Sequence, residues 1–188
     1  MIRFLNTADL PQVYAIVSYW IEHSTANMCY NPIPYEVFAK EQLAIAQDYP
    51  YLIATHEEQI IGFGYAHGFI AREAYQYDAE LTIYFHNGSH YGLVRPLYQA
   101  LEAICLEMGF CNLISCTTAD NQASLAFQRR VGFQTYGLLE KAAYKNGAWH
   151  GVEWLYKPIG SYQNPKRFTL QEVLAKQDLD AFLSQREK

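Results

Sequence analysis

A change of hydrophobic period between residues 81 and 110 constrains the fold of this chain more than any other feature. The segment LTIYFHNGSHYGLVRPLYQALEAICLEMGF begins with alternating apolar and polar residues, which predicts a strand with one buried face. After a turn with two glycines the apolar residues recur at helical spacing, and Gly109 ends the predicted helix. The apolar stripe consists of Leu93, Leu97, Leu101, Ile104 and Met108. A strand that leads through a turn into a helix brings unpaired N–H groups to the strand end, where they suit a pyrophosphate.

The rest of the chain alternates between the two periods, and this alternation predicts an α/β fold with a mixed sheet. The predicted elements are a strand at 2–5, a helix that Thr7 caps, a helix at 35–47, a hairpin that turns at 56–58, a strand at 79–86 with the helix described above, a strand in NLISCTT, a short helix from Asn121 to Gly132, and strands near 133–144 and 149–157 joined by Asn146-Gly147. The predicted order is β-α-α-β-β-β-α-β-α-β-β.

Composition narrows the classes of function. A chain of 188 residues with 51% hydrophobic content is globular and long enough for one well-buried core. A net charge of −5 argues against nonspecific binding to nucleic acid or to an anionic membrane. No window reaches the length of a membrane span, and no secretory signal opens the chain. The four cysteines lack C-x-x-C or zinc-finger spacing, so we expect buried free thiols, no metal and a cytoplasmic location.

The segment 161–188 differs from the part before it. GSYQNPKRF reads as a linker, and TLQEVLAKQDLDAFL predicts an amphipathic helix in which Thr169 and Glu172 form a capping box. A helix of this length is marginal alone, so we expect it to dock on its own domain or on a second subunit. In the second case the protein is a homodimer.

Five segments, in their order and spacing, resemble one known family. They are STANM after the first predicted helix, DYPYLIAT at a strand entry, AREAYQYDAELTIYF across a loop and strand, NQASLAFQRRVGF in a helix, and AAYKNGAWHGVEW in the last hairpin. These segments are similar to those of the GNAT acetyltransferase superfamily, and within it of the phosphinothricin N-acetyltransferase branch. The resemblance implies a GNAT domain at residues 1–160. It also implies acetyl-CoA as co-substrate and, as acceptor, the amine of a small amino-acid-like molecule of the phosphinothricin or methionine sulfoximine type.

The resemblance further implies roles for individual residues. Glu80 is expected to be the general base, because an amine is mostly protonated at neutral pH and must lose a proton before it attacks. His150 is expected to share the proton handling. The cofactor residues are expected to be Ile83, Tyr84 and Phe85 along the strand, His90, Tyr91, Gly92, Leu93, Val94 and Arg95 in the loop, and Asn121 and Ser124 further on. The acceptor is expected to contact Thr25, Arg72 and Tyr75.

Three places depart from the family pattern. The superfamily loop is Gln/Arg-x-x-Gly-x-Gly/Ala, whereas here the six residues from Ser89 to Val94 keep only the middle glycine, in a loop one residue shorter. Ile70 stands where a lysine is common. Gly151 replaces the aspartate that usually follows the histidine and removes a carboxylate that would orient it.

Simpler explanations therefore stay open at this point. The loop is either a divergent CoA loop or a plain strand-to-helix turn. Asn121 is either a pantetheine ligand or only a helix cap, and His150 is either catalytic or structural. For the whole chain the alternative is a non-catalytic relative with a degraded CoA loop, kept for ligand sensing or assembly.

Overall fold

The computed structural model describes residues 1–88 and 90–176. Within these residues the strands are β1 Ile2–Phe4, β2 Tyr51–His56, β3 Gln59–Gly68, β4 Asp78–Phe85, β5 Asn112–Thr118, β6 Gln134–Lys145 and β7 Ala148–Pro158. They form one sheet in the order β1-β2-β3-β4-β5-β7-β6. The β4–β5 pair is parallel and the other neighbours are antiparallel, so the predicted mixed α/β class is confirmed.

The helices lie where the 3.6-residue periodicity predicts them. They are α1 Leu10–His23, α2 Tyr35–Asp48, α3 Val94–Glu107, α4 Gln122–Arg130 and α5 Leu170–Leu174. One predicted cap is wrong, since Asn6 and not Thr7 caps the first helical turn. The Asn6 side chain accepts from the Ala8 N–H at 3.0 Å, and the Asp9 carboxylate accepts from the Asn6 N–H at 2.7 Å. This reciprocal pair needs the cap three residues before the acid, which Asn6 meets and Thr7 does not.

Alternation along β4 divides the strand between two cores, as predicted. Leu81, Ile83 and Phe85 pack against the core that contains the apolar stripe of α3. Tyr84 packs against the other core, which includes Val13 of α1. Glu80, Thr82 and Tyr84 therefore share the face of the sheet that α1 and α2 cover only in part.

The parallel strands β4 and β5 pair only over their first residues. The paired positions are Asp78 with Asn112, Ala79 with Leu113, and Glu80 with Ile114. Beyond Glu80 on β4 and Ile114 on β5 the two strands continue without pairing to each other, so they splay apart. The β5-facing edge of β4 beyond Glu80 is thus left open in the middle of the sheet.

The described part of the tail docks on its own domain. Leu170 and Val173 are 3% and 4% exposed and belong to the core beneath α3. The Phe168 N–H donates to the carbonyl of Met108 at 2.9 Å. Residues 177–183 of the predicted helix lie outside the described residues, and a domain boundary at residue 160 stays a prediction.

Candidate active site

Glu80 lies near the middle of the sheet, at the point where β4 and β5 begin to separate. It is half-buried, directly opposite His67 on β3 and Ile114 on β5. Burial raises the pKa of the Glu80 carboxyl, and the nearby His67 works against that rise. A carboxylate whose pKa is raised is a stronger base than an exposed glutamate, which suits proton transfer from an amine.

Aromatic side chains and one thiol surround this carboxylate. Glu80 contributes, after burial, to the raised pKa values of Tyr65, Cys116 and Tyr136, so all three lie within its electrostatic reach. The ring of Tyr136 also lies 6.5 Å from that of Trp154, centroid to centroid. The prediction of buried thiols is wrong for Cys116 and Cys29, which are exposed, whereas Cys105 and Cys111 are buried.

The open edge of β4 fits an extended amide chain such as pantetheine. Past Glu80 the strand continues to Phe85 without hydrogen bonds to β5, so backbone groups of Ile83 and its neighbours face the gap. On its other edge β4 pairs with β3 up to Phe85, which keeps it straight. The Trp20 indole N–H donates to the Phe85 carbonyl at 2.7 Å and fixes the end of the strand. The role of Ile83, Tyr84 and Phe85 beside the cofactor stays a prediction.

The loop before α3 presents the start of a helix to this gap. Tyr91 and Gly92 have φ values of 43° and 74°, and a Cβ added at Gly92 would meet nothing within 4 Å. Glycine is therefore needed here for backbone conformation and not for space. The helix begins at Val94, whose N–H has no partner within the helix. Arg95 is exposed next to it, whereas the predicted loop position Ser89 lies outside the described residues.

Two stacked rings hold the loop against the β2–β3 turn. The rings of Tyr91 and His56 are parallel to within 12°, and their centroids are 3.9 Å apart. The Leu93 N–H donates to the His90 carbonyl at 2.7 Å and closes the turn into α3. The residues 90–95 thus form an ordered strand-to-helix turn, and their role in cofactor binding stays a prediction.

Asn121 and Ser124 have structural partners of their own. The Asn121 side chain accepts from the Ser124 N–H at 3.2 Å and caps α4. The Ser124 hydroxyl accepts from the Gln128 amide at 2.9 Å. Helix capping therefore accounts for Asn121 without a ligand, although its amide NH₂ group stays available as a donor.

Within one chain, His150 lies far from Glu80. Glu80 pairs with Ile114, which pairs with Tyr156, and His150 lies six residues from Tyr156 along β7. Six residues of strand span roughly 20 Å. Within one chain His150 therefore lies too far from Glu80 to exchange a proton with it directly, and the expectation that His150 shares the proton handling stays a prediction.

Asp120 supplies the carboxylate that Gly151 removes. The His150 Nδ1 lies 2.5 Å from an Asp120 oxygen, and its Nε2 lies 3.0 Å from the Lys145 carbonyl oxygen. Hydrogen bonds with Asp120 and with the Lys145 backbone raise the pKa of His150. A Cβ at Gly151 would lie 3.1 Å from the Glu140 carbonyl oxygen and 3.2 Å from the Ala119 Cβ, so a side chain there would require these neighbours to shift by a few tenths of an ångström.

The predicted acceptor residues lie at opposite ends of β4. Arg72 and Tyr75 lie in the connection before β4, and they line a cavity of about 620 Å³ together with Arg167 of the tail. The loop that contains Thr25 instead contacts the Tyr84 hydroxyl near the other end of the strand. The structure therefore brings Arg72 and Tyr75 together and leaves Thr25 apart from them.

Sequence reasoning missed His67, Asp120 and Lys145. His67 faces Glu80 only because of the register between β3 and β4, which the sequence does not specify. Asp120 precedes the Asn121 cap and reads as an ordinary turn residue. Lys145 precedes the Asn146-Gly147 turn, where a lysine is normally solvated, yet it is 2% exposed.

The sheet splays beside a half-buried carboxylate, and β4 leads through a turn into α3. Together these features define the fold of one class of acyltransferases. The chain belongs to the GNAT acetyltransferase family, since the family model described as an acetyltransferase (GNAT) domain matches residues 2–154. The predictions of this family and of an N-acetyltransferase enzyme are therefore confirmed.

The chain is similar to proteins that are named for two acetyltransferase activities. The chain is 32% identical over 152 residues to the phosphinothricin N-acetyltransferase of Streptomyces viridochromogenes, an alignment that covers 80% of this chain and 83% of that protein. It is 26% identical over 153 residues to an L-methionine sulfoximine/L-methionine sulfone acetyltransferase of Pseudomonas aeruginosa, covering 79% and 88%. A solved GNAT phosphinothricin acetyltransferase from Sinorhizobium meliloti, in complex with AcCoA, superposes with a TM-score of 0.83 at 26% identity, covering 89% and 92%.

The described residues contain neither a candidate membrane span nor a candidate metal site. No helix there has the length and apolar character of a membrane span. No group of three or more His, Cys, Asp or Glu side chains is placed to hold a metal ion.

Proposed function

We propose that this enzyme transfers the acetyl group of acetyl-CoA to the amine of a small amino-acid-like molecule, of the phosphinothricin or methionine sulfoximine type, with Glu80 as general base. The observation that supports this most directly is the position of Glu80 beside the open edge of β4. The carboxylate there is half-buried, has a raised pKa and belongs to the last paired position of β4 and β5, where the two strands begin to separate. The names of the two curated relatives support the choice of acceptor.

The reaction needs little more than a base and a polarised carbonyl. Acetyl-CoA supplies a thioester whose carbonyl carbon the amine attacks. Glu80 takes one proton from the ammonium form of the acceptor, so that the nitrogen lone pair is free to attack. Backbone N–H groups at the open edge of β4, around Ile83, stabilise the oxyanion that forms. The C–S bond then breaks, the CoA thiolate leaves, and it takes up one of the two protons on the acylated nitrogen, so that a neutral amide N–H and the CoA thiol result.

Arg72 and Tyr75 hold the acid group of the acceptor in this proposal. Arg72 is exposed, and no ion pair among the described residues involves its guanidinium. Tyr75 connects this end of β4 to the rings near Glu80, because its ring lies 6.4 Å from Phe69, which lies 6.2 Å from Trp154. In this proposal the acid group of the acceptor binds Arg72 and its amine points toward Glu80.

In this proposal the enzyme works in the cytoplasm, as a homodimer, and has no nucleic-acid partner. The support for a dimer is a set of exposed apolar side chains on β6 and β7, among them Leu138, Leu139 and Trp149, which are 54%, 59% and 58% exposed. Large apolar side chains exposed on two neighbouring strands favour a protein contact. The net charge of −5 speaks against nucleic acid.

The variant Glu80→Gln tests the base, with thiol release measured over acetyl-CoA and a panel of amino acids that includes phosphinothricin and methionine sulfoximine. Turnover should fall by about 10²–10⁴-fold, the usual contribution of a positioned base. The acetyl-CoA affinity, measured by calorimetric titration, should stay the same, and Glu107→Gln at an exposed helix end serves as the matched control.

Wild-type turnover in the Glu80→Gln variant would remove Glu80 from the role of base. Absence of transfer by the wild-type protein to every amine in the panel, without acetyl-CoA binding, would favour the alternative of a non-catalytic relative. That alternative is motivated by Val94, whose side chain stands at the first turn of α3 in place of a glycine.

A further inference from the structure

A buried lysine outside the catalytic centre ties three parts of the backbone together. Lys145, the last residue of β6, is 2% exposed. Its ammonium donates to the carbonyl oxygens of Ile21 at 2.6 Å, Ser24 at 2.8 Å and Asn27 at 2.7 Å. An ammonium has three donors, so its hydrogen-bonding capacity is filled by these three oxygens.

The charge of this lysine has no carboxylate partner among the described ion pairs. It is stabilised by backbone carbonyls at the C-terminal end of α1, where the helix dipole favours a cation. A buried cation is costly unless every donor is satisfied. The lysine therefore holds the end of α1 and the loop after it in one position, since movement of any of the three carbonyls leaves a buried donor unpaired.

The loop that Lys145 holds lies over the open half of β4. The Asn27 amide donates to the Tyr84 hydroxyl at 3.3 Å, and that hydroxyl lies 3.5 Å from the Ala26 carbonyl oxygen. Tyr84 is on the same face of β4 as Glu80, four residues further along. The Tyr30 hydroxyl adds a contact, since it donates to the Tyr144 carbonyl at 2.7 Å. The loop thus covers the catalytic face of the strand from the side of α1.

The strand that carries Lys145 is itself held by His150. Both ring nitrogens of His150 face acceptors, the Asp120 carboxylate at 2.5 Å and the Lys145 carbonyl at 3.0 Å. Both nitrogens must carry hydrogen to satisfy these partners, which makes the ring an imidazolium. An imidazolium has no lone pair with which to accept a proton. In this geometry His150 is a holding group and not a base.

We propose that Lys145, supported by His150 and Asp120, is a positioning residue that fixes the loop of residues 24–30 over β4 and so closes the Glu80 face of the strand around the amine of the acceptor, from the side opposite Arg72. This inference rests on the proposed function. It assigns to His150 an indirect role in place of proton transfer.

The test compares Lys145→Met with Lys141→Met, an exposed lysine on the same strand, in steady-state kinetics with methionine sulfoximine as the acceptor probe. Lys145→Met removes three charge-assisted hydrogen bonds that hold the loop, and the loosened loop should raise the acceptor KM about tenfold or more. The KM for acetyl-CoA and kcat should change by less than about threefold, well below that effect. An unchanged acceptor KM in a folded Lys145→Met protein would overturn the proposal. A lysine that serves only stability would lower the melting temperature and the active fraction without moving the acceptor KM.

His150→Gln provides a second variant if Lys145→Met does not fold. Its acceptor KM should rise while kcat holds, whereas a fall in kcat of about 10²–10⁴-fold at an unchanged KM would overturn the positioning role and restore His150 as a proton carrier.

Amide hydrogen exchange separates the failure of this inference from the failure of the proposed function. Absence of turnover in the wild-type protein would refute the proposed function. The exchange data would then decide by themselves whether Lys145 positions the loop. Faster exchange over residues 21–30 in Lys145→Met, against unchanged exchange in Lys141→Met, supports that role. Equal exchange in both variants would overturn it.

Discussion

Replacing Gly109 with alanine is expected to release the tail from the domain, and the structure offers a matched control for this change. Gly109 has a φ of 81°, and a Cβ placed there would lie 1.9 Å from the carbonyl oxygen of Lys166. Gly147 has a φ of 80°, yet a Cβ there would meet nothing within 4 Å. Both variants incur the same left-handed backbone cost of about 1–2 kcal/mol, and only Gly109→Ala also collides with the tail backbone.

The size of the extra loss follows from what the tail buries. A displaced backbone at Lys166 breaks the hydrogen bond from the Phe168 N–H to the Met108 carbonyl and draws Leu170 and Val173 out of the core. Burial of one such aliphatic side chain stabilises a fold by about 1.5–3 kcal/mol. We therefore expect Gly109→Ala to lose about 2 kcal/mol or more beyond Gly147→Ala, which is about 4–8 °C in Tm for a domain of this size.

Thermal and urea unfolding of the two variants measure this difference, and limited proteolysis locates it. Cleavage should increase within residues 161–176 in Gly109→Ala and not in Gly147→Ala. Equal melting temperatures for the two variants would show instead that the tail adds no stability where it crosses Gly109.

Two further predictions concern Glu80 and Arg72. Burial raises the pKa of Glu80, so the stability that its neutral carboxyl confers is present below the ordinary glutamate pKa of about 4.3 and is lost as pH rises through the raised value. The Tm of Glu80→Gln should accordingly be higher than that of the wild type at pH 8 and equal to it near pH 4. A lower Tm of the variant at pH 8 would contradict the argument that burial raises the pKa of Glu80. Arg72→Gln should raise the KM of a carboxylate-bearing acceptor about tenfold and leave the KM of acetyl-CoA unchanged, as measured by thiol release; equal effects on both would mean that Arg72 does not contact the acceptor.

Local patterns in this chain were sufficient to predict its elements, and long-range geometry was not predictable from them. The hydrophobic periods of residues 81–110 predict β4 and α3. The Asn146-Gly147 turn takes φ values of 52° and 80°, as expected for a tight hairpin. The Asn121 cap was also predicted correctly, because capping depends on the neighbouring residues alone.

The site depends instead on register and on contacts distant in sequence. Glu80 was found through the family resemblance, whereas its partner His67 depends on how β3 and β4 align. The contact of Asp120 with His150 joins positions 30 residues apart, and Lys145 binds carbonyls more than 100 residues away. No pattern within a strand or helix encodes such distances, so the sequence predicts a shared proton-handling role for His150 and Glu80 but not the strand register that separates them.

A calorimetric titration of the wild-type protein with acetyl-CoA tests most directly whether the protein binds this donor. The open edge of β4 and the free N–H groups at the start of α3 predict saturable one-to-one binding with a micromolar Kd. Absence of binding up to millimolar acetyl-CoA would contradict the central claim, because an acetyltransferase of this kind cannot work on a donor that it does not hold.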